Sequence, residues 1–434
     1  MATNGNAPRV VITGMSTINP LGDSLGGFAD NLLAGVSGIR RWESLDVSNI
    51  ECKIGGDLGN YDCKKALAKY ENVLPEERYK IIRKLFKTAT FSSKTAVLCA
   101  LGAFEDAHLF ETDIDLFRMS APVGGHNLNS KYLFDNGAQF RDEPEFIEPL
   151  SGIEGIDPAV PGLVTEALGL HGPAFTIGGA CSSGNLAIRE GLRDIVTGEC
   201  ERSLVTGALF DMCTADLHAS EFINAIVVRS DLLEDPTRAS RPFDLNRGGF
   251  VYSHGCGALV LENRELALAR GARIYAEILG VQANANANHL PVPSAEYQHL
   301  LIKQLLQRTG VAPEEIDYVN CHATSTPAGD IQEIRAIKMA LGPRAYDVKL
   351  NAPKSMLGHT CWAAPIVETI GGILQMERGR LHQSINIDDL DPEIDLDVCA
   401  DGPVEVETRL MLKNSFGFGG LNCCTLVRKY EAGD

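Results

Sequence analysis

The chain lacks any run of apolar residues approaching the ~18 that a membrane-crossing helix requires, so no transmembrane helix is expected. Its first residues, Met1 to Arg9, also lack the apolar stretch of a signal peptide, which predicts a cytoplasmic protein. Paired cysteine spacings are missing as well. The twelve cysteines are scattered, with no Cys-x-x-Cys, which argues against a disulfide framework or a metal site and for reduced thiols. Cys423 and Cys424 are adjacent, so on a strand they point to opposite faces and do not chelate together. Positive charge is in deficit: 39 Lys and Arg against 57 Asp and Glu leave a net charge of −18. That excludes general nucleic-acid binding, which needs a basic footprint. Aromatics are sparse at 6%, whereas glycine is frequent at 43 residues, a composition suited to tight strand–helix turns.

What is present is length and a large apolar fraction. At 434 residues and 44% apolar content, the chain can build two halves packed as one body. Strand-like runs alternate with helical patterns throughout, which predicts an α/β fold made of βαβ units. Strands are expected at 9–14, 119–125, 174–178, 204–208, 273–280, 318–320, 347–351, 405–413 and 422–429. Helices are expected near 26–35, 63–107, 158–168, 181–197, 296–309, 330–341 and 361–378. Residues 127–155 read as a polar, irregular insertion, and 249–262 as a hairpin with glycines at its turn. The strand–loop–helix order recurs, dividing the chain into related halves at 1–268 and 269–434.

Four segments carry chemistry. Gly178-Gly-Ala-Cys-Ser-Ser183 ends a strand and opens a helix. Cys181 therefore sits where unpaired N–H groups and the helix dipole favour a nucleophilic thiolate. The small neighbours would let a substrate approach closely. His322 follows the strand end Tyr318-Val-Asn-Cys321, the place where open α/β folds position ligands, with the hydroxyls of Thr324 and Thr326 beside it. His359 lies in another strand–helix junction, five residues after Lys354. Glu368 lies far enough along the following helix to reach back and hold that lysine's charge. Asn414-Ser-Phe-Gly-Phe-Gly-Gly420 is a glycine-rich loop whose exposed N–H groups could stabilise an oxyanion. Lys80, Arg83, Lys84 and Lys87 share one helical face, either an ordinary solvated surface or a dock for an acidic partner.

In sequence and order these segments resemble the β-ketoacyl–acyl carrier protein synthases, the thiolase-fold condensing enzymes. The likeness runs from Arg9-Val-Val-Ile-Thr-Gly-Met15 through Asn31-Leu-Leu-Ala-Gly-Val-Ser-Gly-Ile39, Ser240-Arg-Pro-Phe-Asp244 and the His322 motif to the glycine-rich loop. The paired histidine motifs are most similar to the Cys-His-His elongating subgroup of fatty-acid and polyketide systems. The resemblance implies two related α/β halves in a layered αβαβα body and an acyl chain carried on Cys181. It implies an oxyanion site at the Cys181 and Phe418 backbone, with Gly417 and Gly419 flanking Phe418, which also gates. His322 and His359 would stabilise the enolate left by malonyl decarboxylation. Lys354, held by Glu368, would order the surroundings of His359. Thr324 and Thr326 would hold the phosphopantetheine arm, which arrives with the carrier protein so that no resident cofactor is needed. The basic face from Lys80 to Lys87 becomes a carrier-protein dock, and a homodimer is expected.

Several residues depart from the family pattern. Ala323 stands in place of a usual glycine, and Thr360-Cys-Trp-Ala-Ala-Pro365 in place of a Gly-Ala-rich stretch. Trp362 is expected to narrow the substrate site. His254 replaces a commonly acidic residue, and Asn286 and Pro291 flank His289 where Asp and Thr are frequent. These changes surround the site and point to a polyketide or other secondary-metabolite ketosynthase. Two further readings share the fold: a malonyl-carrier-protein decarboxylase of a β-branching cassette, and a non-catalytic chain-length-factor subunit. A degradative thiolase has a different motif set.

Overall fold

In the computed structural model, residues 7–431 are described. Ten strands form one mixed sheet: β1 (Val10–Ile18), β2 (Met119–Gly124), β3 (Ala174–Ile177), β4 (Arg202–Gly207), β5 (Cys256–Asn263), β6 (Ala276–Ala285), β7 (Tyr318–Asn320), β8 (Lys349–Asn351), β9 (Leu410–Gly417) and β10 (Leu421–Lys429). Their spatial order is β8-β7-β9-β10-β6-β1-β5-β4-β2-β3. From the centre outward the two directions repeat one plan. β1 pairs antiparallel with β5 and β5 with β4, then β4 parallel with β2 and β2 with β3. β6 pairs antiparallel with β10 and β10 with β9, then β9 parallel with β7 and β7 with β8. The halves join through a short antiparallel contact, Val11 with Glu277 and Ile12 with Ala276.

Helices sandwich and separate the two half-sheets. Phe91–Asp106 and Ala159–Leu168 cover the first, and Ala295–Thr309 and Pro327–Leu341 cover the second. Between them lie Ser183–Val196 and Ala364–Arg378, which pack on strands of both halves. The body is thus αβαβα. Ala364–Arg378 is buried from Ala364 to Met376 with no exposed stripe, as a helix in a central layer must be. Pro365 is accommodated in its first turn, where no N–H partner is lost, and Gly379 ends it in the left-handed region. Cys423 and Cys424 join different core layers, as adjacent strand residues should. No described helix is long and apolar enough to cross a membrane.

Two sequence expectations need correction. Residues 127–155 are not irregular: they hold a helix, Ser130–Asp142, and a short one, Ser151–Glu154. Leu133, Phe134, Phe140 and Ile153 point outward there, so no inward apolar stripe marked the helix in the sequence. Residues 249–262 are not a hairpin. Phe250, Tyr252 and Ser253 each bridge a different neighbour, Ile226, His359 and Gly56, before β5 starts at Cys256. Alternation in sequence says that a segment is extended but not which strand it pairs with.

Candidate active site

Three strand ends and one hairpin converge on the site. Cys181 follows β3, His322 follows β7, Lys354 and His359 follow β8, and Phe418 sits in the β9–β10 turn. The nucleophile turn, Ala180–Ser182, leads directly into the buried helix Ser183–Val196. Ala180 is held at φ +47, a left-handed conformation that turns Cys181 toward the cavity. Ser182 Oγ fixes this turn to the hairpin by donating to the carbonyls of Ser415 (3.0 Å) and Leu421 (2.8 Å). Gly417 passes so close that an added Cβ would lie 2.8 Å from the Gly179 carbonyl oxygen. Gly419 adopts φ +76 in the turn itself. The backbone N–H groups of Phe418 and Cys181 are thereby brought against the sulfur.

His359 Nε2 lies 3.0 Å from Cys181 Sγ, and the His322 and His359 rings are 5.5 Å apart between centroids. Lys354 Nζ stands 3.5 Å from His322 Nδ1 and 2.6 Å from Glu368 Oε1. The expected Lys354–Glu368 pair is present, but the lysine serves His322 rather than His359. An ammonium can only donate, so this contact favours the His322 tautomer protonated on Nε2. His359 Nδ1 is buried with no hydrogen-bond partner, so neither tautomer of that ring is locked.

Sequence reading missed two charged residues. Lys413 Nζ, fully buried, binds the other oxygen of Glu368 at 2.7 Å, so one carboxylate bridges two ammonium groups. Its position on β9 beside the glycine-rich segment gave no sign of burial, since lysines on strands are usually exposed. Glu333, on the helix Pro327–Leu341, accepts the backbone N–H groups of His322 (2.8 Å) and Ala323 (2.7 Å) and the Asn414 amide (2.9 Å). It clamps the His322 loop. Ala323 is not left-handed, so the glycine usual in the family is not required here.

Electrostatics correct the expectation of a ready thiolate. Burial pushes the Cys181 thiol up to about 11, against the opposing pull of Lys354 and the backbone N–H groups. Burial, reinforced by Lys354, also drives His322 and His359 well below the ordinary imidazole range. The resting site is a neutral thiol beside two neutral imidazoles. The three donor atoms lie within 4.8 Å of one another, a spacing that could also hold a metal ion. The Lys354 ammonium beside His322 opposes a second cation there.

A cavity of about 270 Å³ contains Cys181, His322 and His359. Thr324, Thr326, Pro291 and Phe418 line it, together with Phe250, Phe416 and Gly417. The Thr324 and Thr326 hydroxyls are 3.1 Å apart. Trp362 does not line it. Gly178 and Gly179 do not either: they admit His126 and Leu186, not substrate. His254 is structural, accepting the Leu58 N–H at 3.0 Å between the rings of Trp42 and Phe91. Lys80, Arg83 and Lys84 are exposed on the helix Glu76–Leu85, with Lys87 just beyond it. Lys80 is already paired with Glu76 and Glu77.

Four buried histidines should make the fold acid-sensitive. Burial holds His254 and His382 at about 4, and His322 and His359 are lowered too. The unfolded chain, with imidazoles near 6.5, binds more protons across that interval, so the histidines' contribution is complete above about pH 6.5 and falls as pH drops toward 4, against the opposite and smaller trend of buried Asp211 and Asp330, which burial raises to about 7 and about 6. Thermal melts from pH 7 downward should show Tm level at first and then declining below about pH 6.5.

A duplicated α/β body with a cysteine and two histidines at its shared centre is the architecture of the thiolase-like fold. Residues 7–267 match the N-terminal domain model of β-ketoacyl synthase, and residues 275–388 match its C-terminal domain model. The chain belongs to the β-ketoacyl synthase family. It is 32% identical to the polyketide biosynthesis malonyl-ACP decarboxylase PksF of Bacillus subtilis, over 99% of this chain and 98% of that protein. It is also 32% identical to 3-oxoacyl-[acyl-carrier-protein] synthase 2 of Synechocystis, over 98% of each. A type II polyketide ketosynthase, solved with its acyl carrier protein and a bound hexaketide, superposes with a TM-score of 0.85 at 27% identity, covering 98% of this chain and 100% of that one.

Proposed function

We propose that the chain is a ketosynthase that condenses an acyl group on Cys181 with a malonyl unit delivered by an acyl carrier protein, in polyketide or related secondary-metabolite synthesis. The observation that carries this reading is the 3.0 Å contact between Cys181 Sγ and His359 Nε2, with His322 beside them in one cavity. In the first half-reaction the sulfur attacks the acyl thioester. Its proton passes to His359 Nε2 and on to the departing pantetheine thiolate, so no net charge remains. The Cys181 and Phe418 N–H groups meet the transient oxyanion. In the second, a malonyl thioester enters and its carbonyl oxygen accepts from the two imidazoles. Carbon dioxide leaves, and those donors stabilise the enolate. The enolate carbon attacks the acyl carbonyl, the Cys181–acyl bond breaks, and a proton from solvent restores the thiol.

Pantetheine arrives on its carrier, so no resident cofactor enters the scheme. Thr324 and Thr326 would bind that arm, and Phe418, 39% exposed at the cavity wall, would gate it. Lys80, Arg83, Lys84 and Lys87 would dock the acidic carrier. The solved ketosynthase–carrier complex supports such a partner. A homodimer is supported by the unpaired edge of β3 and by the outward apolar residues of 133–156. All twelve cysteines are free and buried, which favours a reducing cytoplasm.

The similarity to PksF favours one second reading, decarboxylation of malonyl carrier protein without condensation. The presence of Cys181 favours condensation, and intact Cys181, His322 and His359 set aside a chain-length-factor role. Intact-protein mass spectrometry with acyl carrier thioesters, followed by product analysis with malonyl carrier protein, separates the readings. An adduct on Cys181 and a β-ketoacyl product are expected. Acetyl product alone, with no adduct, would overturn the proposal in favour of the decarboxylase.

A further inference from the structure

The internal duplication makes Trp362 the counterpart of Cys181. In the first half, β3 leads to left-handed Ala180 (φ +47), then Cys181, then the central helix Ser183–Val196. In the second, β8 and the His359 loop lead to left-handed Cys361 (φ +51), then Trp362, then the other central helix, Ala364–Arg378. The two turns, Ala180–Ser182 and Cys361–Ala363, pack against each other. Where one half offers a thiol, the other carries an indole at the equivalent position of its turn.

That indole is firmly held. Its ring lies 4.1 Å from the His126 ring at 30° and 5.3 Å from the Phe210 ring. His126 in turn stands against Gly178, where an added Cβ would be 3.2 Å from the histidine's Cβ. Burial lowers the pKa of His126, so a neutral imidazole stacks on the indole. None of these three rings lines the cavity that contains the sulfur. That cavity opens among exposed Asn224, Pro291, Val292 and Pro327, and its lining residues Ala225 and Phe250 pack in the same apolar cluster as Phe210 and Trp362.

The reaction makes the location of free space decisive. The pantetheine arm must reach Cys181 through the open cavity, once with the acyl donor and again with malonate. The acyl group must therefore wait elsewhere while the second arm enters. We propose that the His126–Trp362–Phe210 stack closes the space behind the nucleophile, so that Cys181 accepts acyl groups of acetyl to butyryl size and rejects longer chains. This deepens the condensing reading given above and rests on it.

The test uses the full-length enzyme and carrier protein loaded with acetyl, butyryl or octanoyl groups, with adduct formation on Cys181 followed by intact-protein mass spectrometry. Octanoyl loading should be slower than acetyl loading by about 100-fold or more, since each methylene that fails to fit costs about tenfold or more. Trp362→Ala should raise octanoyl loading by at least about tenfold. Trp362→Leu and Phe210→Ala serve if the alanine variant does not fold, and each should move the profile the same way. Octanoyl loading by the parent enzyme within about threefold of acetyl would overturn this inference and leave the condensing reading standing. So would an unchanged chain-length profile in a folded variant. Failure of every acyl group to load, with malonyl decarboxylation intact, would overturn the condensing reading and this inference with it.

Discussion

Replacing Cys181 with alanine should stop condensation while carbon dioxide release from malonyl carrier protein continues. On the proposed reading the sulfur carries the acyl group, and no other described cysteine lines the cavity. Loss of a nucleophile that acts in concert with its base costs on the order of 10⁴-fold or more in rate. Decarboxylation uses different atoms. Lys354 approaches His322 at Nδ1, and that contact does not involve Cys181. The histidines should then divide. His322→Ala should impair decarboxylation and spare loading. His359→Ala should damage both, because its Nε2 touches the sulfur at 3.0 Å. Labelled carbon dioxide release and adduct mass, measured on the same variants, check all of this. A Cys181→Ala enzyme that still formed β-ketoacyl product would contradict the assignment.

Glu368→Ala should be the most destabilising single change in the site. Glu368 is 1% exposed and its two oxygens hold Lys354 and Lys413, themselves almost wholly buried. Removing the carboxylate leaves two ammonium groups in the interior without a counter-ion, a loss of about 3–5 kcal/mol for breaking such a pair. The protein's response would be to release a proton from one lysine, and burial already pulls Lys354 down from its ordinary value. A neutral Lys354 would no longer fix the His322 tautomer, so decarboxylation should fall along with stability. Lys413→Met is the informative contrast. It leaves Lys354 and Glu368 as a one-to-one pair and replaces a buried cation with an apolar side chain, so its cost should be clearly smaller. Denaturant melts of the two variants and of the double variant measure the coupling. Equal losses for Glu368→Ala and Lys413→Met would refute the bridging role.

The chemistry-bearing residues were legible in the sequence because each sits at a junction with local punctuation. Glycines precede Cys181, a strand end precedes His322, and alternating glycines surround Phe418. Local patterns of this kind need no tertiary information. The Lys354–Glu368 pair was legible for a similar reason, since a charged residue in an apolar junction demands a partner. Lys413 and Glu333 were not, because nothing local distinguishes a buried strand lysine or an inward helix glutamate from exposed ones. Residues 127–155 misled because their apolar side chains face outward.

Residue order alone therefore determined the alternating α/β architecture and singled out Cys181, His322 and His359 as candidate reacting groups, because short-range periodicity and turn chemistry mark strands, helices and their junctions. Three matters were decided by the tertiary structure. The repeated five-strand plan of each half emerged only from strand pairing, because alternation is blind to partners. The upward shift of the thiol was set by burial, which outweighs the pull of Lys354 and of the backbone N–H groups. The place of Trp362 was set by the meeting of two turns more than a hundred residues apart in the chain, and proximity of that kind is a property of the packed body alone.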